Sequence, residues 1–389
     1  MLKPTTSRYK KTVIPFNKPF FFGDEIANIN KVVKQSWQSA HGPFSLEVKN
    51  KLNKLISSNS NIFLTPSCTA SLEMAALVIN CSKNDEVILP SYTFVSTANA
   101  FALRGCKLIF ADVDPVSLTL TPEIVIPLLS KRTKAIVTVH YGGVDGYSSE
   151  LRKIADQHGC YLIEDAAQAI GSMDKKGNHL GYAGHMSCFS FHETKNVHCG
   201  EGGCLVVNSE DLFERAAIIQ EKGTNRHNFL NGVSEKYEWH SLGSSYLMNE
   251  LSAAYLSAQL DYVYQITEKR SFIWDKYYKQ LSKKKFQIIT LPPSKQILSN
   301  NGHIFYLICS NTQIRKIIMD KLKKEGVMAN PHYLALHNSP FMQTEKNKQI
   351  VLRTSELLEN CLLRLPIWLG VDTDYVISSV TKVLEEIEA

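Results

Sequence analysis

Phe189-Ser190-Phe191-His192-Glu193-Thr194-Lys195-Asn196, closed by Gly200-Glu201-Gly202-Gly203, is the stretch that decides how this chain is read. A hydrophobic strand stops abruptly there, at one lysine in a polar, glycine-rich loop. A lysine fixed by its scaffold and partly desolvated can shed its proton near neutral pH and attack a carbonyl. Taken alone, the stretch suits a solvated lysine at a strand end better. The segments upstream of it reverse that preference.

Upstream, the strand expected over Asn61–Thr65 turns through Pro66-Ser67-Cys68-Thr69-Ala70-Ser71 into a helix over 72–79. Small hydroxyl residues at such a turn leave backbone N–H groups free at the positive end of the helix dipole, which is a seat for phosphate. Strands and helices then alternate. Strands are expected over 87–90, 107–113, 135–140 and 161–164, and helices over 91–104, after Thr121-Pro122-Glu123, and over 149–158 closed by Gly159. Such alternation means α/β: a mainly parallel sheet between helices, with the functional groups in the loops at the strand ends. Asp165, Lys195 and the phosphate seat all fall at such ends.

Outside this core, Gly23-Asp24 opens a helical pattern with Ile26, Ile29, Val33 and Trp37 on one face. A strand over 204–208 and a helix over 211–222 precede a long irregular loop, 223–245, and one long helix running from 248 to 278. The C-terminal part has a strand over 303–309, helices over Thr312–Glu325 and 374–388, and an extended segment over 326–333. We therefore expect a loose tail over 1–12, a large domain over 13–250, and a bridging helix with a smaller C-terminal α+β domain over 251–389.

Composition narrows the function. The 389 residues are 44% hydrophobic and 21% charged, ordinary for a globular chain of this length. The net charge of +6 is dispersed apart from short lysine runs such as Lys283-Lys284-Lys285, so no nucleic-acid surface is expected, and a small acidic substrate suits it. Nine cysteines lie scattered without C-x-x-C pairs or histidines at zinc spacing, which argues against a disulfide framework and a metal site and favours the cytoplasm. His192-Glu193 begins like a zinc-protease motif, but Asn196 stands where the second histidine belongs. No run is long enough to span a membrane.

With Ser190 to Lys195, Gly200 to Gly203 and Glu164-Asp165-Ala166-Ala167-Gln168 in hand, the chain resembles the DegT/DnrJ family of sugar aminotransferases. These are fold-type I enzymes that use pyridoxal 5'-phosphate (PLP). The likeness runs from about Ile14 to the C-terminus. Residues 65–74, 90–97, 221–226 and 243–248 are similar, more narrowly, to the branch that makes dTDP-4-amino-4,6-dideoxygalactose. The resemblance implies that Lys195 carries PLP and then serves as base and acid, that Asp165 pairs with the pyridine nitrogen, and that Gln168 bonds the ring hydroxyl. It implies further that Phe94 stacks on the ring, that Cys68, Thr69 and Ser190 hold the phosphate, and that His332 lies near the sugar. Cys68 stands where the wider family has glycine, and Ser245 and Leu247 where it has asparagine and arginine.

The activity implied is transfer of an amino group from L-glutamate to a nucleotide-linked keto sugar. Within the narrower likeness the acceptor carbon is C4 of dTDP-4-keto-6-deoxyglucose, for surface polysaccharides such as lipopolysaccharide O-antigen or enterobacterial common antigen. The alternatives are a 3-keto or another 4-keto nucleotide sugar, or a non-catalytic sugar-nucleotide sensor. The resemblance also implies a homodimer with shared active sites, in which Ser245 of one subunit reaches the PLP phosphate of the other.

Overall fold

Short apolar runs build the larger sheet of the computed structural model, which describes residues 13–56, 61–343 and 350–389. The expected tail, 1–12, lies outside the described residues. The strands are β1 (Asn61–Thr65), β2 (Glu86–Pro90), β3 (Lys107–Ala111), β4 (Thr133–Val139), β5 (Tyr161–Asp165), β6 (Met186–Ser190) and β7 (Gly203–Val207). Their order is β1-β7-β6-β5-β4-β2-β3. Strands β6, β5, β4, β2 and β3 run parallel, and β7 runs antiparallel to both β6 and β1. The parallel strands β2, β4, β5 and β6 are buried almost throughout, as a sheet covered on both faces requires.

The covering helices are α1 (Asp24–Gln35), α2 (Pro43–Ile56), α3 (Cys68–Val78), α4 (Val95–Ala102), α5 (Pro122–Val125), α6 (Ser148–His158), α7 (Phe213–Gln220), α8 (Arg226–Leu230) and α9 (Glu250–Asp261). Then comes α10 (Val263–Leu281), followed by a second sheet of β8 (Ile289–Thr290), β9 (Phe305–Cys309), β10 (Asn330–Pro331) and β11 (Leu362–Leu365). This sheet is antiparallel throughout, in the order β10-β11-β9-β8. Helices α11 (Thr312–Glu325), α12 (Pro340–Gln343), α13 (Arg353–Cys361) and α14 (Thr373–Glu388) complete this smaller part. The architecture is the expected α/β one, a mainly parallel sheet between helices with a smaller α+β part at the C-terminal end.

Three local expectations need correction. The long helix expected from 248 to 278 is two helices, α9 and α10, parted at Tyr262, where φ is −107°. Tyr262 leaves the helical path to stack flat on Phe22 at 4.0 Å and to donate a hydrogen bond to Asp24. The loop 223–245 contains α8, and an isolated bridge joins Thr224 to Trp239. Finally, the apolar face of α1 is not its buried face: Ile26 and Val33 are 56% and 55% exposed, whereas Glu25 and Val32 pack inward.

One buried carboxylate ties the N-terminal helices to α9. Glu250 accepts hydrogen bonds from the N–H groups of Gly42, Phe44 and Ser45 at 3.1, 2.8 and 2.9 Å and from the Ser45 hydroxyl. It thereby serves the free donors at the start of α2. Glu250→Ala strands these groups in a dry site, and a loss of about 3 kcal/mol or more is expected. A urea midpoint shift equivalent to less than about 1 kcal/mol would show that water serves these donors as well.

Candidate active site

The carboxyl ends of the parallel strands and the amino end of β7 meet at one edge of the large sheet, and a cavity of about 430 Å³ opens there. Lys195 reaches it from the turn after β6. That turn is a closed hairpin: Phe191 N–H donates to Gly202 O, Glu193 N–H to Gly200 O and Lys195 N–H to His192 O, all within 2.9 Å. The Asn196 amide anchors the hairpin to the Asn301–His303 segment, donating to Asn301 O at 3.2 Å and bonding the His303 ring at 2.9 Å. Burial pushes the Lys195 amine below the usual lysine range, and the charge of Arg364 acts in the same direction against Cys68 and Asp165.

Across the cavity, α3 begins at Cys68. The Ser67 hydroxyl caps only Ala70 N–H, so helix geometry leaves the N–H groups of Cys68 and Thr69 without an intrahelical acceptor. Gly203 makes this seat possible, because a Cβ on it would sit 2.4 Å from Ser67 C and 2.5 Å from Cys68 N. Only glycine lets the β7 backbone come so near the start of α3. The Cys68 thiol points away to Cys188 O at 3.6 Å, and burial raises its pKa well above the usual thiol range. It is a neutral wall of the turn, and no nucleophile.

Asp165, at the end of β5, is buried. Its carboxylate accepts from the Thr97 hydroxyl at 2.7 Å and from Ala167 N–H at 3.1 Å. Gln168 accepts from Gly142 N–H at 2.7 Å and donates to the Tyr333 hydroxyl at 3.1 Å. The far wall is aromatic: His332 and Tyr333 line it, backed ring against ring by Tyr92 and Tyr141, and the His332 imidazole is bonded to the Tyr141 hydroxyl at 3.1 Å. Burial, with help from Arg364, pushes His332 well below the usual imidazole range, so it is neutral at physiological pH.

Of the residues singled out in the sequence, Cys68, Thr69, Phe94, Asp165, Gln168, Ser190, Lys195 and His332 all line this cavity. Ser245 does not; it is exposed, bridged to Glu221. Phe94 stands at the mouth, 55% exposed, with its ring 6.0 Å from Tyr333. Sequence reading missed Arg270, His303, Tyr333 and Arg364 of the lining, and Thr97, which holds Asp165 from behind. Thr97 and Tyr333 lay inside or beside motifs already singled out, and the signal for Arg364 was a lone charge in Leu362-Leu363-Arg364-Leu365.

The cavity fits a phosphorylated pyridine aldehyde. It has a desolvated amine, a buried carboxylate for a ring nitrogen, an amide side chain, and a helix start approached by a glycine-only backbone. Lys195, Asp165, Gln168 and the Ser67–Thr69 turn with Ser190 are the groups that would hold it.

Known proteins agree. Residues 22–385 match the model of the DegT/DnrJ/EryC1/StrS aminotransferase family. Among solved structures, the aminotransferase TlmJ from Streptoalloteichus hindustanus superposes with a TM-score of 0.87 at 25% identity, covering 97% of this chain and 100% of that one. DesI, crystallised in the presence of its TDP-sugar product, superposes at 0.84 with 26% identity, covering 97% and 93%. NtdA from Bacillus subtilis, which holds the cofactor PMP, superposes at 0.83 with 24% identity, covering 97% and 87%. The cofactor of this family is PLP. With the motif residues brought together in one cavity and nearly the whole length matched, the chain belongs to the DegT/DnrJ/EryC1/StrS family of sugar aminotransferases.

Proposed function

We propose that the protein transfers the amino group of L-glutamate to C4 of dTDP-4-keto-6-deoxy-D-glucose, giving dTDP-4-amino-4,6-dideoxy-D-galactose as a precursor of surface polysaccharide. The observation that carries this reading is the convergence of Lys195, Asp165 and the free N–H groups of Cys68 and Thr69 on one cavity. The TDP-sugar product of DesI supports a dTDP-linked acceptor. The stretches 65–74, 90–97, 221–226 and 243–248 support the choice of C4 and of the galacto product. A sensor without catalysis would have no use for a desolvated lysine facing a buried aspartate.

Bound PLP supplies an electron sink for the bonds at the amine-bearing carbon. The protein's own groups do the rest. The Thr97 hydroxyl and Ala167 N–H hold the Asp165 carboxylate still, so that it can keep a pyridine nitrogen protonated. Lys195 Nζ, which burial makes easier to deprotonate, takes the proton from the donor's α-carbon and returns one to the other side of the transfer. Gln168 would bond the ring hydroxyl, Ser190 and the start of α3 would take the phosphate, and Phe94, at the mouth, would stack on the ring. His332, held neutral beside Tyr141, offers the sugar a hydrogen bond without a charge.

We also propose a homodimer in the cytoplasm, with the chain divided at 250 and 251. Among the described residues, no helix is long and apolar enough to cross a membrane. Support for the dimer is the apolar surface that a single chain leaves bare. Ile26, Val33 and Trp37 are more than half exposed, and so are Val233, Tyr237, Trp239 and Leu242 of the loop 223–245. A two-fold axis would let each loop, with Ser245, reach the neighbour's phosphate seat.

Three experiments test these points. A panel of dTDP-, UDP- and GDP-linked keto sugars, with the aminated carbon located by NMR, should give product with the dTDP-4-keto sugar and amination at C4. Amination at C3, or a preference for another nucleotide, removes the proposed substrate. Asp165→Asn should retain PLP, visible in its absorbance, and lose more than about tenfold in turnover, the equivalent of 1.4 kcal/mol. A variant that keeps more than about a tenth of the rate contradicts the ring-nitrogen role. Finally, mixing inactive Lys195→Ala subunits with inactive Ser245→Glu subunits should restore activity, because a shared site confines both lesions to one of the two sites. No recovery despite demonstrated subunit exchange means that Ser245 acts within its own subunit or not at all.

A further inference from the structure

Arg364 is a strongly basic side chain of the cavity whose bonding is unfinished. It projects from β11 between Leu363 and Leu365, both buried. One terminal nitrogen donates to Pro331 O at 3.2 Å, and the guanidinium carbon lies 4.6 Å from the centre of the Phe16 ring. Its Nε is buried without a partner. Among the described residues no carboxylate pairs with it. Arg270, on the same cavity, is different: it donates to Gly302 O at 3.1 Å and to His303 O at 2.8 Å, and so holds the loop that carries His303.

The acids lining the cavity do not neutralise Arg364. They are Asp165 and Glu201. Asp165 is occupied by Thr97 and Ala167, and the Glu201 side chain is 72% exposed, facing His192 at 3.6 Å. The groups that feel the Arg364 charge include Tyr141, Tyr333, Tyr92 and His332 of the aromatic wall, together with His303 and Lys195. A guanidinium on that wall, with donors to spare and no counter-charge, is built for an anion that arrives with a ligand. Its planar fork matches a carboxylate.

Which anion follows from the chemistry of the transfer. The phosphate of PLP has its own seat at the start of α3. A nucleotide diphosphate is separated from the reacting carbon of its sugar by the ring. Only the donor carries a negative group bonded directly to the carbon whose amine reacts. We propose that Arg364 binds the carboxylate of the amino-acid donor beside Lys195, and that the same N–H groups turn to neutral hydroxyls when the keto sugar takes the donor's place. This inference rests on the aminotransferase reading above.

The test separates the two half-reactions in PLP-loaded protein, followed by absorbance. R364Q should raise the L-glutamate concentration for half-saturation by at least about 30-fold, the lower end for removing one member of a buried charge pair. The reaction of the pyridoxamine phosphate form with the keto sugar should change by less than about 3-fold, since a neutral hydroxyl loses only an ordinary hydrogen bond. R364K, which keeps the charge but not the fork, should lie between wild type and R364Q. Calorimetric titration with glutarate, which has carboxylates and no amine, gives a readout independent of turnover, and binding should be lost in R364Q. Unchanged donor saturation and unchanged glutarate binding overturn the proposal, as does an equal loss in both half-reactions. Should R364Q fail to fold or to hold PLP, R364K decides by the same measurements. If wild type converts no amino acid to its keto acid, the aminotransferase reading falls and this inference with it. If wild type does so and both variants match it, only the role of Arg364 falls.

Discussion

Four donors converge on the buried carboxylate of Glu164, and the geometry of the site depends on that convergence. The His140 ring donates at 2.8 Å, Gly181 and Gly184 N–H at 3.2 and 2.5 Å, and the Ser187 hydroxyl at 3.2 Å. His140 follows the end of β4, Glu164 is on β5, and Ser187 is on β6, so one carboxylate ties three adjacent strands and the loop 166–185 between two of them. Gly146 N–H donates to His140 Nδ1 at 3.0 Å, which assigns the ring proton to Nε2, facing Glu164. Burial works to raise the Glu164 pKa, yet the bonds from His140, Gly184 and Ser187 hold it below the usual carboxylate range. A carboxylate so bonded is safe to bury; with its donors removed it would not be.

The consequence lies on the opposite face of the strand. Successive side chains of β5 point to opposite sides, so fixing Glu164 on one side aims Asp165 at the cavity on the other. His140 N–H adds a bond to Asp165 O at 3.1 Å, and Ala166 N–H one to Cys188 O at 2.9 Å. The backbone on both sides of Asp165 is therefore pinned before any cofactor arrives. A similar rigidity exists across the cavity, where the absence of a side chain at Gly203 seats β7 against the start of α3. Preorganisation of this kind is what electrostatic catalysis needs, because a charge that must move to meet its partner gives back much of the gain.

How much of this was legible in the sequence depends on whether a residue acts through local chain chemistry or through contacts made at a distance. Asp165 and Lys195 were legible because one ends an apolar strand and the other lies in the turn that follows one, and strand ends and the turns after them are where an α/β sheet presents its groups. The helix start at Cys68 was legible from its small hydroxyl residues. Arg364 was not, because it sits in the second sheet, and nothing local says that a charge within a leucine strand turns to a cavity lined mainly by the first. The division of α9 from α10 was hidden for a similar reason: Tyr262 leaves the helix to meet Phe22, some 240 residues earlier in the chain. The Glu164 cluster, too, draws on residues from 140 to 187, so only the fold reveals it.

The periodicity of α1 shows what such patterns report. An apolar stripe at helical spacing marks the face that is dry in the functional assembly, and that face need not be covered by the same chain. In the single chain, Glu25 is the buried residue, accepting from Phe22 and Gly23 N–H at 3.1 and 2.8 Å and from the Gln259 amide at 2.6 Å, while Ile26 and Val33 stay open. The helix therefore has two working faces, a hydrogen-bonded one towards α9 and an apolar one left for another surface. The loop 223–245 repeats the pattern, with Val233 and Trp239 each 76% exposed although the bonds of Asn225 to Ser234, Lys236 and Glu238 hold the loop in shape. A loop with an ordered hydrogen-bond frame and bare apolar tips is shaped to meet a surface, which is why the proposed two-fold pairing explains the stripe of α1 and the exposed position of Ser245 together.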